Sequence, residues 1–356
     1  MKTQPWIKSP FFDLLFIISP PFLCLLVIMA FPGVFAGQEK ISDLSWLLLV
    51  LFVDVGHVYS TLYRTYFDPS MWKTQRPLLI TIPLVSFVMA VMSYSIAPTL
   101  FWHILAYLAV FHFVRQQYGF MRIYSRHENY PRWSQNIDTA CIYVSTIYPL
   151  LFWHLSGPRN FNWFVDGDFF YLPFEQLIPY LFAAYSILLL IWAIKELLFT
   201  IRNRILNIPK IGIITGTIFS WYFGIVYYNG DMAFTLLNVI SHGIPYIALI
   251  WWYGNNNYLR KQTYPSPLRV LFSNKGLVFF ISFLLIFAFI EEGLWDISVW
   301  KEHNNIFGVP AKWQLSLNGP VLAIMVGLLT IPQMTHYILD GFIWRKNSFG
   351  HKTHRP

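Results

Sequence analysis

The sequence predicts an all-α, polytopic integral membrane protein: a bundle of about ten transmembrane helices forming one domain over residues 1–356, with both termini in the cytoplasm. Three observations predict it. Apolar residues come in runs of about twenty, the length that crosses roughly 30 Å of hydrocarbon. Only 12% of residues are charged, against 56% hydrophobic and 19% aromatic, whereas soluble domains carry about a quarter charged residues. Lys and Arg also gather in every second loop, as they do on the cytoplasmic side of a membrane.

The apolar runs fall at 11–36, 44–66, 77–97, 99–124, 137–155, 176–201, 211–228, 232–253, 276–295 and 318–344. The first is long and lacks a small-residue cleavage site, so it reads as a retained helix rather than a signal peptide. Cations mark the inner loops: Lys2 and Lys8; Arg64, Lys73 and Arg76; Arg122, Arg126 and Arg132; Arg202, Arg204 and Lys210; Arg260, Lys261, Arg269 and Lys275. The tail adds Arg345, Lys346, Lys352 and Arg355. Outer loops are poor in cations, with Asp166, Asp168 and Glu175 in one and Glu291, Glu292, Asp296 and Glu302 in another. Together they place the chain in the inner (cytoplasmic) membrane, surrounded by lipid.

Composition excludes other classes. The net charge of +8 sits in short loops where membrane orientation explains it, so nucleic acid is not a partner. Cys24 and Cys141 lie in apolar runs and make neither a disulfide framework nor a CxxC metal pair. No nucleophile elbow, P-loop, dinucleotide fingerprint or HExxH pair is present, and the clustered histidine boxes of membrane desaturases are missing.

Ionisable groups inside a span are rare and usually line an interior site. Four histidines qualify: His57, His112, His242 and His336, one on each of helices two, four, eight and ten. Counting forward to the first cytoplasmic charge (Arg64, Arg122 and Arg345) puts His57, His112 and His336 about 10 to 15 Å from the inner face. His242, counted to the polar run at Asn255, lies near 20 Å. Each has a polar neighbour on its own helix face: Asp54 three before His57, Gln116 four after His112, Asn238 four before His242, and Asp340 four after His336. Convergent imidazoles with carboxylates behind them suit a buried metal site. Without thiolates the set favours Fe, Mn, Zn or Cu over an iron–sulfur cluster, and two carboxylates with four histidines leave room for a second metal.

The blander reading is that each histidine is a hydrogen-bonded packing residue; four at similar depth weigh against it. His103 and His154 fall near the outer ends of their helices and read as packing residues, and His127, His303, His351 and His354 as solvated. Asp138 either faces the site from the cytoplasmic edge or lies at the interface. Arg115 and Gln117 beside His112 pair with the intramembrane carboxylates or with a substrate head group; Arg115, Gln116 and Asn238 are the candidate substrate-binding residues.

The motifs DxxHxxxTxxRTYxD (Asp54 to Asp68), HFxRQQYGF (His112 to Phe120), HGxPY (His242 to Tyr246) and PQxxHYxLDGFxWR (Pro332 to Arg345) resemble those of a group of bacterial multi-pass membrane proteins. More faintly, one intramembrane histidine per helix is similar to the Brp/Blh membrane β-carotene dioxygenases. That resemblance implies a four-histidine non-haem iron centre that uses O₂ on a polyene, although this chain is longer and does not reproduce their motif spacing. The expectation is therefore a non-haem Fe²⁺ oxygenase acting on a lipophilic substrate from the bilayer, with Zn²⁺ as the alternative metal. The four histidines would be ligands, and Asp54 and Asp340 catalytic groups that orient ligands or shuttle protons. Two rivals stand beside it: a proton-coupled transporter using the same groups as a relay, and a metal-dependent intramembrane hydrolase or transferase.

Overall fold

A computed structural model describes residues 4–37, 40–259, 266–308 and 313–344. Lys2, Arg260, Lys261, Arg345, Lys346, Lys352, Arg355, His351 and His354 lie outside the described residues. Within them the secondary structure is helical, with no strand. The long elements are α1 (Pro10–Ile18), α2 (Pro20–Ala30), α3 (Asp43–Arg64), α4 (Pro69–Ile96), α5 (Pro98–Tyr124), α6 (Arg132–Leu155), α7 (Glu175–Asn203), α8 (Ile208–Trp221, extended as a π-helix over Tyr222–Tyr227), α9 (Asp231–Leu259), α10 (Asn274–Trp300) and α11 (Gly319–Ile343).

Six of these, α3, α4, α7, α9, α10 and α11, are long and apolar enough to cross a membrane; α1 and α2, bent by 56° at Ser19, make a seventh if counted as one span. They mark a multi-pass membrane protein. Helices α5, α6 and α8 coincide with three more of the expected spans but lie outside the six. Their polar residues explain it: α5 alone carries His112, Arg115, Gln116 and Gln117.

The chain divides into two compact units, residues 1–53 with 113–248, and residues 54–112 with 249–356. In the first, Cys24, Leu25 and Ile28 of α2 pack on Ala233 and Leu237 of α9. A group of buried charges lies elsewhere in it. Lys210 Nζ reaches Glu196 at 2.7 Å, Glu128 at 2.9 Å and Asp138 at 3.4 Å. Lys195 pairs with Asp138 and with Glu196, and Trp192 Nε1 donates to Asp138 at 3.1 Å. Asp138 is thus bound into an ion-pair group with two lysines. Burial pushes the Glu128 carboxyl up from its ordinary range, against the opposing pull of Lys210 and Asn207.

In the second unit α4 packs along α11, with Met71, Leu79 and Ile82 against Leu339 and Ile343. A side chain at Gly327 would meet Val91 at 2.5 Å, so the missing Cβ sets how closely the two helices approach. Asp68 caps α4, accepting from the backbone of Ser70 and Met71. It also lies 3.5 Å from Arg64, and Tyr258 and Tyr253 donate to it at 3.0 and 3.3 Å. Arg64 donates to the carbonyl of Ile343 at 3.2 Å and lies over the Tyr253 ring. The Arg64 side chain is 1% exposed and that of Asp68 0%. The cation that marks a cytoplasmic loop in the sequence is therefore a buried clamp joining the ends of α3, α9 and α11 to the start of α4.

Removing one member of such a pair strands the other. Asp68→Ala is expected to cost about 3–5 kcal/mol, seen as a lower thermal unfolding midpoint of the detergent-solubilised protein. Gly327→Val is expected to cost about 1–3 kcal/mol by overpacking.

Candidate metal centre

Three of the four histidines belong to the second unit. His57 follows a π-helical stretch, Leu47–Val55, at the start of an α-helical turn over Gly56–Ser60; π-helix is rare and concentrates at functional sites. His112 lies in the middle of α5. His336 sits one turn beyond Pro332 in α11, where the ring lacks the N–H that would bond the carbonyl of Leu328. Each is 1% exposed.

The three rings converge. His336 Nε2 is 3.1 Å from His57 Nε2, and the His336 ring centroid lies 4.4 Å from that of His112 and 4.9 Å from that of His57. Two nitrogens at that separation, each about 2.1 Å from an ion, subtend an angle of about 95°, within the range of ordinary coordination. Each ring has an oxygen behind it. His57 Nδ1 faces Asp54 Oδ1 at 3.6 Å, His112 Nδ1 faces Asp340 Oδ2 at 3.6 Å, and His336 Nδ1 lies 2.6 Å from Thr61 Oγ1. With Nδ1 turned to an oxygen, Nε2 is the nitrogen left to point inward, the arrangement that orients metal-ligating histidines. Tyr337 stacks on His112 at 5.1 Å.

The fourth histidine joins them. His57, His112, His242 and His336, all buried, each offer one ring nitrogen, and these atoms lie within 4.8 Å of one another. The four together can hold a metal ion. His242 stacks on Phe113 with centroids 3.5 Å apart, and Gln116 Nε2 donates to its backbone carbonyl at 2.9 Å. A Cβ at Gly243 would meet Val53, including its backbone carbonyl oxygen at 3.0 Å, so glycine at 243 lets α9 lie against α3 beside His242.

Helical spacing pairs each histidine with a polar residue on its own helix; the structure places Asp54 beside His57 in this way. Asp340 reaches across to His112, and His336 is served by Thr61 of α3. The face shared by His336 and Asp340 lies toward α5, so the carboxylate meets the neighbouring ring. The other Asp340 oxygen accepts from Trp344 Nε1 at 2.5 Å.

The remaining expected residues are dispersed. Arg115 is exposed, donates to the Tyr143 hydroxyl at 2.7 Å and stacks on Tyr118. Gln117 Nε2 donates to the Ser241 carbonyl at 3.3 Å. Asn238 Nδ2 donates to Phe234 one turn back, while its Oδ1 and the Oε1 of Gln116 are buried without a hydrogen-bond partner. His154 bonds the carbonyl of Leu150 at 2.6 Å, and neither it nor His103 joins the four. Sequence reasoning missed Thr61, Thr335 and Tyr337. Thr61 lies four residues after His57, a spacing that could have flagged it, but hydroxyls on apolar helices are too common to single out.

Beside His336 lies a cavity of about 340 Å³ in the second unit. Val58, Tyr59, Leu62, Pro83, Pro332 and Leu339 line it with Thr61 and Thr335. Thr335 Oγ1 is buried without a hydrogen-bond partner.

No protein-family model, curated protein or solved structure matches the chain.

Thr61→Val keeps the shape of the side chain and removes the oxygen behind His336. Metal affinity is expected to fall by about 10- to 100-fold, measured by competition with a chelating indicator, while Thr61→Ser stays near wild type.

Proposed function

We propose that this protein is a membrane-embedded non-haem iron oxygenase acting on a lipophilic substrate. The observation that carries the reading is the set of inward-facing imidazoles of His57, His112 and His336, each backed by an oxygen, with His242 completing the group of four. The fold belongs to it as a bundle of ten spans in the inner membrane, with both termini on the cytoplasmic side.

Four neutral imidazoles carry no charge, so a dication among them would add two positive charges to an apolar interior. Asp54 and Asp340 supply two negative ones, and buried charge persists when compensated in this way. Because these carboxylates stand behind the rings, the balance favours one ion over two. They hold the rings in place and accept the Nδ1 protons, which is the positioning role assigned to them here. An iron held by imidazoles with an open position supplies O₂ activation, and a dioxygenase places both atoms of O₂ in its products without a separate reductant.

The substrate's place is the cavity against His336. Its volume is at the low end for small-molecule pockets, which run from about 300 to 1,000 Å³, and its walls are largely hydrocarbon. A hydrophobic molecule would lie there out of water, and the Thr335 hydroxyl is available to bond one polar atom of it. Gln116 and Asn238, which do not line that cavity, each keep a buried amide oxygen without a hydrogen-bond partner and suit a water or a second polar group, and Arg115, on the exposed side, suits a lipid head group.

Elemental analysis of the detergent-purified protein tests the reading. About one iron per chain is expected in wild type, lost in His57→Ala, His112→Ala, His242→Ala and His336→Ala variants that keep their thermal unfolding transition. Stoichiometric zinc would replace oxygenation with hydrolysis by a metal-activated water. A folded wild type without metal after metal-replete expression would overturn the metalloenzyme and leave a His–Asp proton relay.

A further inference from the structure

Four carboxylates of the second unit stand apart from the buried ion pairs of the first. Glu291 and Glu292 are near the end of the α-helical part of α10, and Asp296 begins its last, π-helical stretch. The sequence assigns all three to an outer loop. In the structure α10 runs on to Trp300 and buries them: Glu291 is 4% exposed, Glu292 6% and Asp296 0%. Carboxylates within an apolar span are costly and rare. Three of them, with Asp54, call for a cause.

Their surroundings supply one. Glu292 interacts electrostatically with Glu291, Asp54 and Asp296, so the groups acting on it are all acidic. Both carboxylate oxygens of Glu291 lack a hydrogen-bond partner, and so does Asp296 Oδ2. Tyr59 and Trp295 stand near Glu291 outside hydrogen-bonding geometry. The other oxygen of Asp296 is held by the backbone N–H groups of Glu302 and His303, at the loop beyond α10. At the opposite end of the series, Asp54 faces His57 at 3.6 Å. Tyr337, which stacks on His112, interacts with both Asp54 and Glu291. Electrostatic interaction thus links the acids of α10, whose last member is held by the loop beyond it, with Asp54 behind the first histidine.

Among the described residues these oxygens form no compact group of three or more; the one such convergence of donors is that of the four histidines. That distinction separates a path from a binding site. Oxygen donors hold borderline dications such as iron, cobalt or zinc more weakly than imidazoles do, so spaced carboxylates lower the cost of a cation's passage without trapping it. A group of acids also raises the arrival rate of a cation through its electrostatic potential.

We propose that Asp296, Glu292, Glu291 and Asp54 form the access route by which a divalent transition-metal cation reaches the histidine centre from the loop at the end of α10. The proposal rests on the metal-centre reading. Glu291 and Glu292 then have no role in holding the ion once it has arrived, and their effect is kinetic.

The test is stopped-flow loading of the chelator-stripped, full-length protein in detergent with Co²⁺, whose ligand-field absorption reports imidazole coordination. Glu291→Gln, Glu292→Gln and the double variant preserve shape and remove charge. The expected result is a loading rate at least about 10-fold below wild type, the lower end of the electrostatic effect on arrival, with the same final absorption and the same equilibrium affinity. Asp296→Asn, made separately, is expected to slow loading in the same way. Loading at the wild-type rate in the double variant overturns the route, and so does a loss of affinity that matches the loss of rate, since the glutamates would then be ligands. Wild type that takes up no Co²⁺ would instead sink the metal centre itself.

Discussion

An imidazole ring has two nitrogens, and in an apolar interior neither can be left without a role. In this protein three rings solve the problem in the same way, with an oxygen at Nδ1 and Nε2 turned toward its neighbours. The rest of the second unit follows from that requirement. Helices α3, α5 and α11 must come close enough for Asp340 to reach His112 and for Thr61 to reach His336. Gly327 permits one close approach in that unit, and the Arg64–Asp68 clamp holds the ends of the helices that carry His57 and His336. The rings and the scaffold are tied together: rotating His112 or His336 would strand both its own nitrogen and an oxygen on another helix, and rotating His57 would strand the Asp54 oxygen on its own.

Much of this was legible in the sequence, for a physical reason. Charged and imidazole side chains cannot be scattered through hydrocarbon at random, so four histidines inside apolar runs stood out, and counting residues to the helix ends placed three of them at one depth. In the structure the marker Arg64 is buried and still ends its helix. The polar run at Asn255–Leu259, used to count the depth of His242, is itself helical in α9. The partners were harder to read. Helical spacing says which residues share a face but not which neighbouring helix that face meets, so Asp340 was paired with His336 rather than with His112.

The buried charges were the least visible. Lys195 and Glu196 fall inside an apolar run, and Glu291 and Glu292 at the edge of another, where local composition reads as lipid contact or loop. What surrounds them is contributed by residues distant in the chain: Asp138 and Lys210 compensate the first pair, whereas the second has another acid, Asp54, beside it. The acids of α10 differ in kind from those of the first unit, which have lysines among them. Two groups that look alike by burial therefore differ in their neighbours, one held by paired lysines and the other set among acids.

The π-helical stretch before His57 has a consequence for how such proteins can diverge. A π turn holds more residues than an α turn, so Leu47–Val55 contains chain that an uninterrupted α-helix would not need. Successive residues of an α-helix are rotated by about 100° from one another. Within an uninterrupted α-helix a single extra or missing residue would swing everything beyond it by that angle. A π turn takes up the surplus residue instead, so a change between α and π winding in this segment can absorb a one-residue insertion or deletion while His57 keeps its face.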